Sequence, residues 1–287
     1  MVALFDLERH EPLVSQPWDA AAVRAAIDEI VRDTCAARRD DGWPAHPLDD
    51  GVKDGSCSLY VGAAGVLWAL VHLAREGAIA ADPGWPAAAR ALPDVYRARP
   101  DTSRAVPSYF LGESGILLAA LVTMRGAQPE QPSALLAERL LEVVQSNTHN
   151  PTLEALWGAP GSALAAIFAH ELTGDERWRA VYLDNIRALE GSWREHDGDG
   201  CALWMQDLYG RQRRILGAAH GFAGNVFCFL RGRALLPDAT VDAAMQRAVR
   251  TLRATVELAA GRANWPSDTG RERFFVQWCH GAPGIVT

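Results

Sequence analysis

The sequence predicts an all-α fold, an α/α toroid in which inner helices surround a central axis and outer helices cover them. Three observations support this prediction: a glycine motif recurs five times, an apolar run follows each motif, and amphipathic stretches lie between the runs. Strand signals are sparse. Because self-similarity at a spacing of a few tens of residues marks repeat architectures, the repeat is the main guide to this fold.

Each repeat begins with an aromatic or apolar residue followed by Gly-x-x-Gly. Successive motifs are 50, 46, 63 and 60 residues apart, which leaves room for two helices in each step. Glycine has no Cβ and tolerates positive φ, so such a turn lets backbones approach closely and leaves the first N–H groups of the next helix available. Packing alone would explain any single motif, but five of them favour a shared basin that attracts anions and thiolates. The motifs are Gly62 to Gly65, Gly112 to Gly115, Gly158 to Gly161, Gly221 to Gly224 and Gly281 to Gly284.

The inner and outer helices differ in their apolar pattern. Residues 21–38, 132–146 and 241–259 carry apolar side chains at helical spacing with charges opposite, which predicts outer helices. The runs after the glycines are nearly continuously apolar, so we expect inner helices that are buried on all sides. Residues 59–74 form the most apolar stretch, but they are shorter than the roughly 20 residues of a membrane span and predict a buried helix instead.

Composition and charge exclude several classes of function. The 287 residues carry a net charge of -7, and they lack the basic stripe that a nucleic-acid surface requires. The first ten residues are acidic where a signal peptide is positive, and no apolar run follows them, so we expect a cytoplasmic protein. The five cysteines have no framework spacing, which predicts free thiols in a reducing compartment.

Two side chains near the glycine motifs are candidates for proton transfer. His220 directly precedes Gly221, where its imidazole would face the basin as a general acid or base. A histidine that caps the turn or fills space there is an equal alternative. Glu154 lies four residues before Gly158 and could orient His220 or move a proton, although a loop or capping carboxylate is the simpler interpretation.

A third candidate lies near the end of the chain. Cys279 could ligate zinc, because Zn²⁺ binds cysteine thiolates. Spacing alone favours a buried structural cysteine, since a single thiol cannot complete a metal site. His280 is interpreted as a turn residue and not as a second ligand, because consecutive side chains at a helix start diverge.

Several strings of residues together resemble one known family, the lanthionine synthetase C-like proteins, and within it the eukaryotic-type branch. They are the Gly-Ala-Ala-His-Gly-Phe-Ala-Gly string of residues 217–224, the Asn-Trp-Pro-Ser of residues 264–267, and the Trp-Cys-His-Gly-Ala-Pro-Gly of residues 278–284, with Leu-Tyr before the first motif. The resemblance implies a seven-fold α/α toroid and a catalytic zinc held by two cysteines and a histidine. Lantibiotic-making members add a peptide cysteine to dehydroalanine or dehydrobutyrine, and eukaryotic-type members bind glutathione and add it to dehydroamino acids in proteins.

Carried over by position, the resemblance assigns three roles. It makes Cys279 the first zinc cysteine, His220 the residue that protonates the enolate, and Glu154 an acidic position of the site. The two remaining zinc ligands are expected beyond residue 287, in a later Cys-His-Gly turn. The chain is therefore expected to hold about five of seven repeats, as a C-terminally truncated toroid that binds zinc weakly or not at all by itself.

One further departure concerns an arginine that the cyclases carry four residues before the first zinc cysteine. This chain has Phe275 there, and neither Arg271 nor Arg273 is assigned that role.

Residues 1–50 are expected to form an N-terminal segment with the first outer helix, and residues 51–287 an incomplete toroid within a single domain. The implied function is zinc-dependent addition of a thiol to a dehydrated peptide or protein, impaired in this chain, with glutathione as a possible thiol and no nucleic-acid or membrane partner. The alternatives are a non-catalytic peptide- or glutathione-binding scaffold, an inactive fragment, and a glycosidase of the same fold that would use Glu113 and Glu154 as its carboxylates.

Overall fold

The computed structural model describes residues 14–39, 42–45, 55–127, 134–196, 200–270 and 273–287. The N-terminal ten residues, the predicted boundary at residues 50–51 and Arg271 lie outside this part of the chain. The described residues form ten α-helices, one short 3₁₀ helix (Arg233–Leu235) and three short antiparallel hairpins. The helices are α1 (Ala20–Ala37), α2 (Ala63–Arg75), α3 (Trp85–Ala98), α4 (Glu113–Ala127), α5 (Ala134–Ser146), α6 (Ala159–Thr173), α7 (Glu176–Ser192), α8 (Phe222–Arg231), α9 (Asp238–Thr255) and α10 (Ala282–Val286).

The hairpins are small additions between helices. β1 (Arg194–Glu195) pairs with β2 (Ala202–Leu203), β3 (Gln206–Leu208) with β4 (Arg211–Arg213), and β5 (Glu257–Ala259) with β6 (Arg262–Asn264). The last hairpin shortens a predicted helix, because α9 ends at Thr255 and not at residue 259. Ala260 and Gly261, with φ of 50° and 73°, form a tight turn that returns the chain antiparallel and withdraws these residues from the helix.

The glycine motifs lie where the structure needs close backbone contact. Each of the five helices that follow a motif begins directly after its first glycine. Positive φ is not the reason, since the N-capping glycines 62, 158, 221 and 281 all have negative φ. A Cβ on Gly221 would lie 2.0 Å from the carbonyl oxygen of Ile215, and one on Gly281 would lie 2.1 Å from that of Phe275. In both motifs the first glycine contacts the residue six positions before it, so the two turns have the same shape.

Burial of the inner helices is less uniform than expected. Ten of the 15 residues of α6 are buried, as the apolar run predicts. The expectation of burial on all sides is wrong for α2 and α8, where Trp68 and Phe227 are each more than 40% exposed. No described helix combines the length and apolarity needed to cross a membrane.

The chain divides into two compact units. One spans Pro12–Val143, and its core is formed by α2, α3 and α4 around side chains such as Leu67 and Tyr96. The other includes Val144–Thr287, where Trp193 stacks on Trp204 with ring centroids 4.1 Å apart. All candidate site residues except Glu113 belong to this second unit.

Candidate functional site

Three loops of the second unit, each leading into a glycine motif, lie side by side. They precede α6, α8 and α10 and carry Glu154, His220 and Cys279, respectively. The amide of Asn225 donates to the carbonyl oxygen of Leu153 at 2.9 Å, which ties α8 to the first loop. The backbone N–H of Ala219 donates to the carbonyl oxygen of Cys279 at 3.3 Å, which ties the second loop to the third.

Gly217 makes the second of these loop contacts possible. A Cβ at this position would lie 2.1 Å from the carbonyl oxygen of Cys279 and 2.6 Å from the Cα of His280. Real Cβ atoms do not approach other atoms this closely, so only glycine fits here. The packing of the loops therefore depends on this single residue.

Glu154 is a fully buried carboxylate with three donors around it. Its Oε1 accepts from the backbone N–H of Trp157 at 2.6 Å, and its Oε2 accepts from that of Leu156 at 3.2 Å. The Nδ1 atom of His220 lies 3.2 Å from the same Oε2. A buried carboxylate is tolerated only when such donors replace water. Glu154 thus both caps the turn before α6 and holds His220, so the two interpretations made from the sequence are compatible.

His220 is held in one orientation by Glu154. Its side chain is 18% exposed, and the carboxylate of Glu154 fixes Nδ1 as the nitrogen that donates inward. The Nε2 atom makes no hydrogen bond to a described residue and is not a buried unpartnered atom, so it faces solvent. A buried carboxylate behind an accessible imidazole is the arrangement of a general acid or base.

His280 lies beside His220, although the sequence interpretation assigned it only to the turn. Its ring stacks on that of His220 with centroids 4.9 Å apart and planes inclined by 19°. Burial, followed by the nearby charges of His220, Arg213 and Arg273, lowers the pKa of His280. The repeat register contained the signal: each of the two histidines directly precedes the first glycine of its motif, and equivalent positions of adjacent repeats are neighbours.

Cys279 lies in the third loop with a half-buried side chain. Asn264 anchors this loop, because its side chain accepts from the backbone N–H of Ala282 at 3.0 Å and donates to the carbonyl oxygen of Phe275 at 3.0 Å. No group of three or more His, Cys, Asp or Glu side chains among the described residues is placed to hold a metal ion. The described part of the chain therefore supplies Cys279 as one candidate ligand and does not complete a zinc site.

Glu113, the carboxylate of the glycosidase alternative, and Arg273, which has no assigned role, have different surroundings. Glu113 in the first unit is nearly buried and pairs with both Arg97, at 2.9 Å, and Arg139, at 2.6 Å. A carboxylate held by two guanidinium groups is part of a structural ion-pair network. Arg273 stacks over the ring of Phe275, with its guanidinium carbon 4.6 Å from the ring centroid.

One family model matches most of the chain. The model of the family described as "Lanthionine synthetase C-like protein" matches residues 53–287. A Danio rerio protein named "Glutathione S-transferase LANCL1" is 28% identical over 253 residues, which cover 83% of this chain and 60% of the relative. This chain therefore spans less than two thirds of the length of that relative.

A solved structure of nisin cyclase resembles the chain in fold. Its TM-score is 0.58 at 16% identity, and the match covers 93% of this chain and 69% of the cyclase. Likeness at this identity shows the fold alone. The predicted fold class, an all-α chain of the α/α toroid type, is confirmed, whereas the number of repeats remains a prediction.

Proposed function

Because the chain belongs to the lanthionine synthetase C-like family, we propose that it serves the addition of a thiol to dehydroalanine or dehydrobutyrine, which forms a thioether. The observation that carries the proposal is the contact of His220 Nδ1 with the buried carboxylate of Glu154 at 3.2 Å. The name of the Danio rerio glutathione S-transferase supports glutathione as the thiol, and a peptide cysteine is the alternative.

The proposed chemistry assigns a proton to His220. When sulfur adds to the β-carbon of a dehydro residue, the electrons of the double bond move to the α-carbon and its carbonyl group. His220 delivers a proton from Nε2 to the α-carbon, and the proton lost by the thiol restores the imidazole. The carboxylate of Glu154 stabilises the protonated ring and keeps Nδ1 turned away from the substrate.

A metal would supply the thiolate. Zinc binds a thiol as the thiolate and so generates the nucleophile. We propose Cys279 as one ligand of such a zinc, with the remaining donors outside the described residues, because the described residues hold no group of three. The same observation favours a second candidate function, in which the site binds a thiol or a dehydrated peptide without turnover.

The glycosidase alternative has no support in the structure. It would require Glu113 as a catalytic carboxylate, but two arginines already pair with this side chain.

The test is a thioether assay with matched variants. The chain is incubated with Zn²⁺, glutathione and a peptide that contains one dehydroalanine, and the adduct is quantified by mass spectrometry; a cysteine-containing peptide replaces glutathione in a parallel assay. His220→Asn is expected to lower kcat by about 100-fold to 10,000-fold, and Glu154→Gln by about tenfold or more, because both remove parts of one proton path.

Controls separate chemistry from folding. His72→Asn and Glu142→Gln change an exposed histidine and an exposed glutamate outside the site and should leave the rate unchanged. Residual zinc binding, titrated on the same samples, should weaken further in Cys279→Ala and not in Cys35→Ala. Undiminished turnover in His220→Asn would remove the basis of the proposal, and peptide binding without any adduct would favour the non-catalytic function.

A further inference from the structure

Two histidines occupy the same position in consecutive repeats of the second unit. His220 directly precedes Gly221 and His280 directly precedes Gly281. Their rings lie in contact and nearly parallel, with centroids 4.9 Å apart. Phe275 also packs against the ring of His280, with centroids 5.5 Å apart. These contacts hold the His280 imidazole beside the proposed proton donor.

The two ring nitrogens of His280 have different surroundings. Nδ1 is buried and has no hydrogen-bond partner among the described residues. Nε2 is not among the buried unpartnered atoms and makes no hydrogen bond to a described residue, so it is the accessible nitrogen. A buried N–H without an acceptor is rarer in proteins than a buried acceptor without a donor. The proton of the neutral ring is therefore expected on Nε2, where His280 presents an N–H group to solvent.

In the neighbouring His220, Nε2 is also the accessible nitrogen, but for a different reason. Its Nδ1 is directed to the carboxylate of Glu154, which leaves Nε2 accessible. His220 is therefore an imidazole coupled to a carboxylate and is suited to moving a proton. His280 has no carboxylate partner among the described residues and is suited to donating a hydrogen bond.

We propose that His280 is a second catalytic residue, whose Nε2–H donates a hydrogen bond to the carbonyl oxygen of the dehydro residue as the thiol adds. This inference deepens the proposed function and rests on it. The bond from sulfur to the β-carbon forms, the carbon–carbon double bond becomes single, and negative charge develops on the carbonyl oxygen of the enolate. A donor placed at that oxygen stabilises the charge until His220 protonates the α-carbon.

The spacing of the two rings suits the substrate. The α-carbon and the carbonyl oxygen of a dehydro residue are separated by only two bonds. Two imidazoles in ring contact can therefore serve one atom each, with His220 at the α-carbon and His280 at the oxygen. Arg213 and Arg273, whose positive charges act on His280, add to the potential that favours an oxyanion here.

Two substitutions separate the hydrogen bond from the ring contact. His280→Phe keeps an aromatic ring against His220 but has no donor, and His280→Gln places an amide N–H near the position of Nε2. Loss of a single oxyanion donor typically lowers kcat about 100-fold to 1,000-fold. We expect a decrease of this order in His280→Phe with an unchanged KM for the thiol, and partial recovery in His280→Gln. His72→Phe, which alters an exposed histidine that stacks on Trp68, is the matched control and should be fully active.

Wild-type kcat in His280→Phe would overturn the proposal, as would a His280→Gln variant no more active than His280→Phe. Circular dichroism and urea unfolding of each variant show whether it is folded before its rate is compared.

A measurement without turnover distinguishes this inference from the proposed function. The full chain, labelled with ¹⁵N at histidine, is titrated with the dehydroalanine peptide in the absence of any thiol. The Nε2 resonance of His280 should shift on binding, while that of His72 stays in place. An unshifted His280 resonance at saturating peptide would overturn the inference. A shifted resonance together with the absence of any thioether would preserve the hydrogen bond and contradict the proposed function.

Discussion

At the scale of single residues, Gly217 sets how closely the second and third loops of the site approach. The space that a Cβ would need is already filled by the backbone of Cys279 and His280. The distance between the candidate proton donor and the candidate zinc ligand thus depends on a residue that carries no chemistry itself.

Gly217→Ala is expected to destabilise the chain by about 1–3 kcal/mol, the usual cost of overpacking, because the third loop must move away. Gly191→Ala in α7 is the matched control, since its Cβ would meet nothing within 4 Å and its φ is not positive. The Gly191→Ala substitution should stabilise the chain by about 0.5–1 kcal/mol, because alanine is a better helix former than glycine. Urea unfolding of both variants gives the comparison, and equal effects would show that the loop contact is not rigid.

Residue-scale predictability differed among the site residues. The position of Glu154 beside His220 is one of the alternatives that the sequence offered, because Glu154 precedes the glycine turn of the neighbouring repeat. His280 was assigned to the turn because consecutive side chains diverge. The structure shows that divergence directs His280 toward the equivalent histidine of the preceding repeat.

At the scale of elements, the ends of helices depend on local chemistry that periodicity does not report. The C-terminal residues predicted for α9 follow the apolar pattern of a helix, yet they pair as a strand because the Ala260–Gly261 turn returns the chain. The beginning of α7 is better marked. Asp175 caps it by accepting from the backbone N–H of Arg177 at 2.9 Å.

The charge of Asp175 should make part of the stability depend on pH. The hydrogen bond from the Arg177 side chain lowers the pKa of Asp175 in the folded chain. The pKa of Asp175 is lower in the folded chain than in the unfolded chain. The stabilisation is therefore complete above the unfolded-state pKa of about 3.9, and it is lost as the pH falls through the folded-state pKa. Asp175→Asn keeps a capping oxygen but should unfold at slightly lower urea than the wild type at pH 7.

The difference in urea midpoint between Asp175→Asn and wild type should become smaller in acid. Unfolding curves at several pH values between 7 and 3 measure it. Asp242→Asn, in the exposed part of α9, serves as the control for a generic loss of one negative charge. A difference that stays constant over this range would mean that the ion pair contributes nothing.

At the scale of the whole molecule, the five cysteines report on both compact units. All five are thiols, with Cys57 buried in the first unit and Cys201 and Cys228 buried in the second. Burial raises the pKa of the Cys228 thiol, whose sulfur also donates to the carbonyl oxygen of Pro160 at 3.2 Å. Cys35 is exposed and Cys279 is half-buried.

Iodoacetamide should therefore label the native chain in two classes. Because only an accessible thiolate reacts, we expect Cys35 and Cys279 to react at least about 100-fold faster than the three buried thiols. Peptide mass spectrometry at successive times measures the rates, and labelling in concentrated urea, where all five should react alike, is the control. Rapid labelling of Cys57 alone would indicate that the first unit opens while the second stays closed.

The sequence by itself determined the fold class and the family, and it pointed to His220, Glu154 and Cys279 as candidate site residues, because glycine motifs and apolar periods are local patterns. The glycine motifs also predicted where the inner helices begin. A backbone that passes within contact distance of another backbone leaves room only for glycine. The tertiary structure decided how the three loops meet. Only there does Glu154 become a buried carboxylate on His220, and only there does His280 lie against the neighbouring imidazole, because contacts between residues some 60 positions apart depend on the packing of whole repeats.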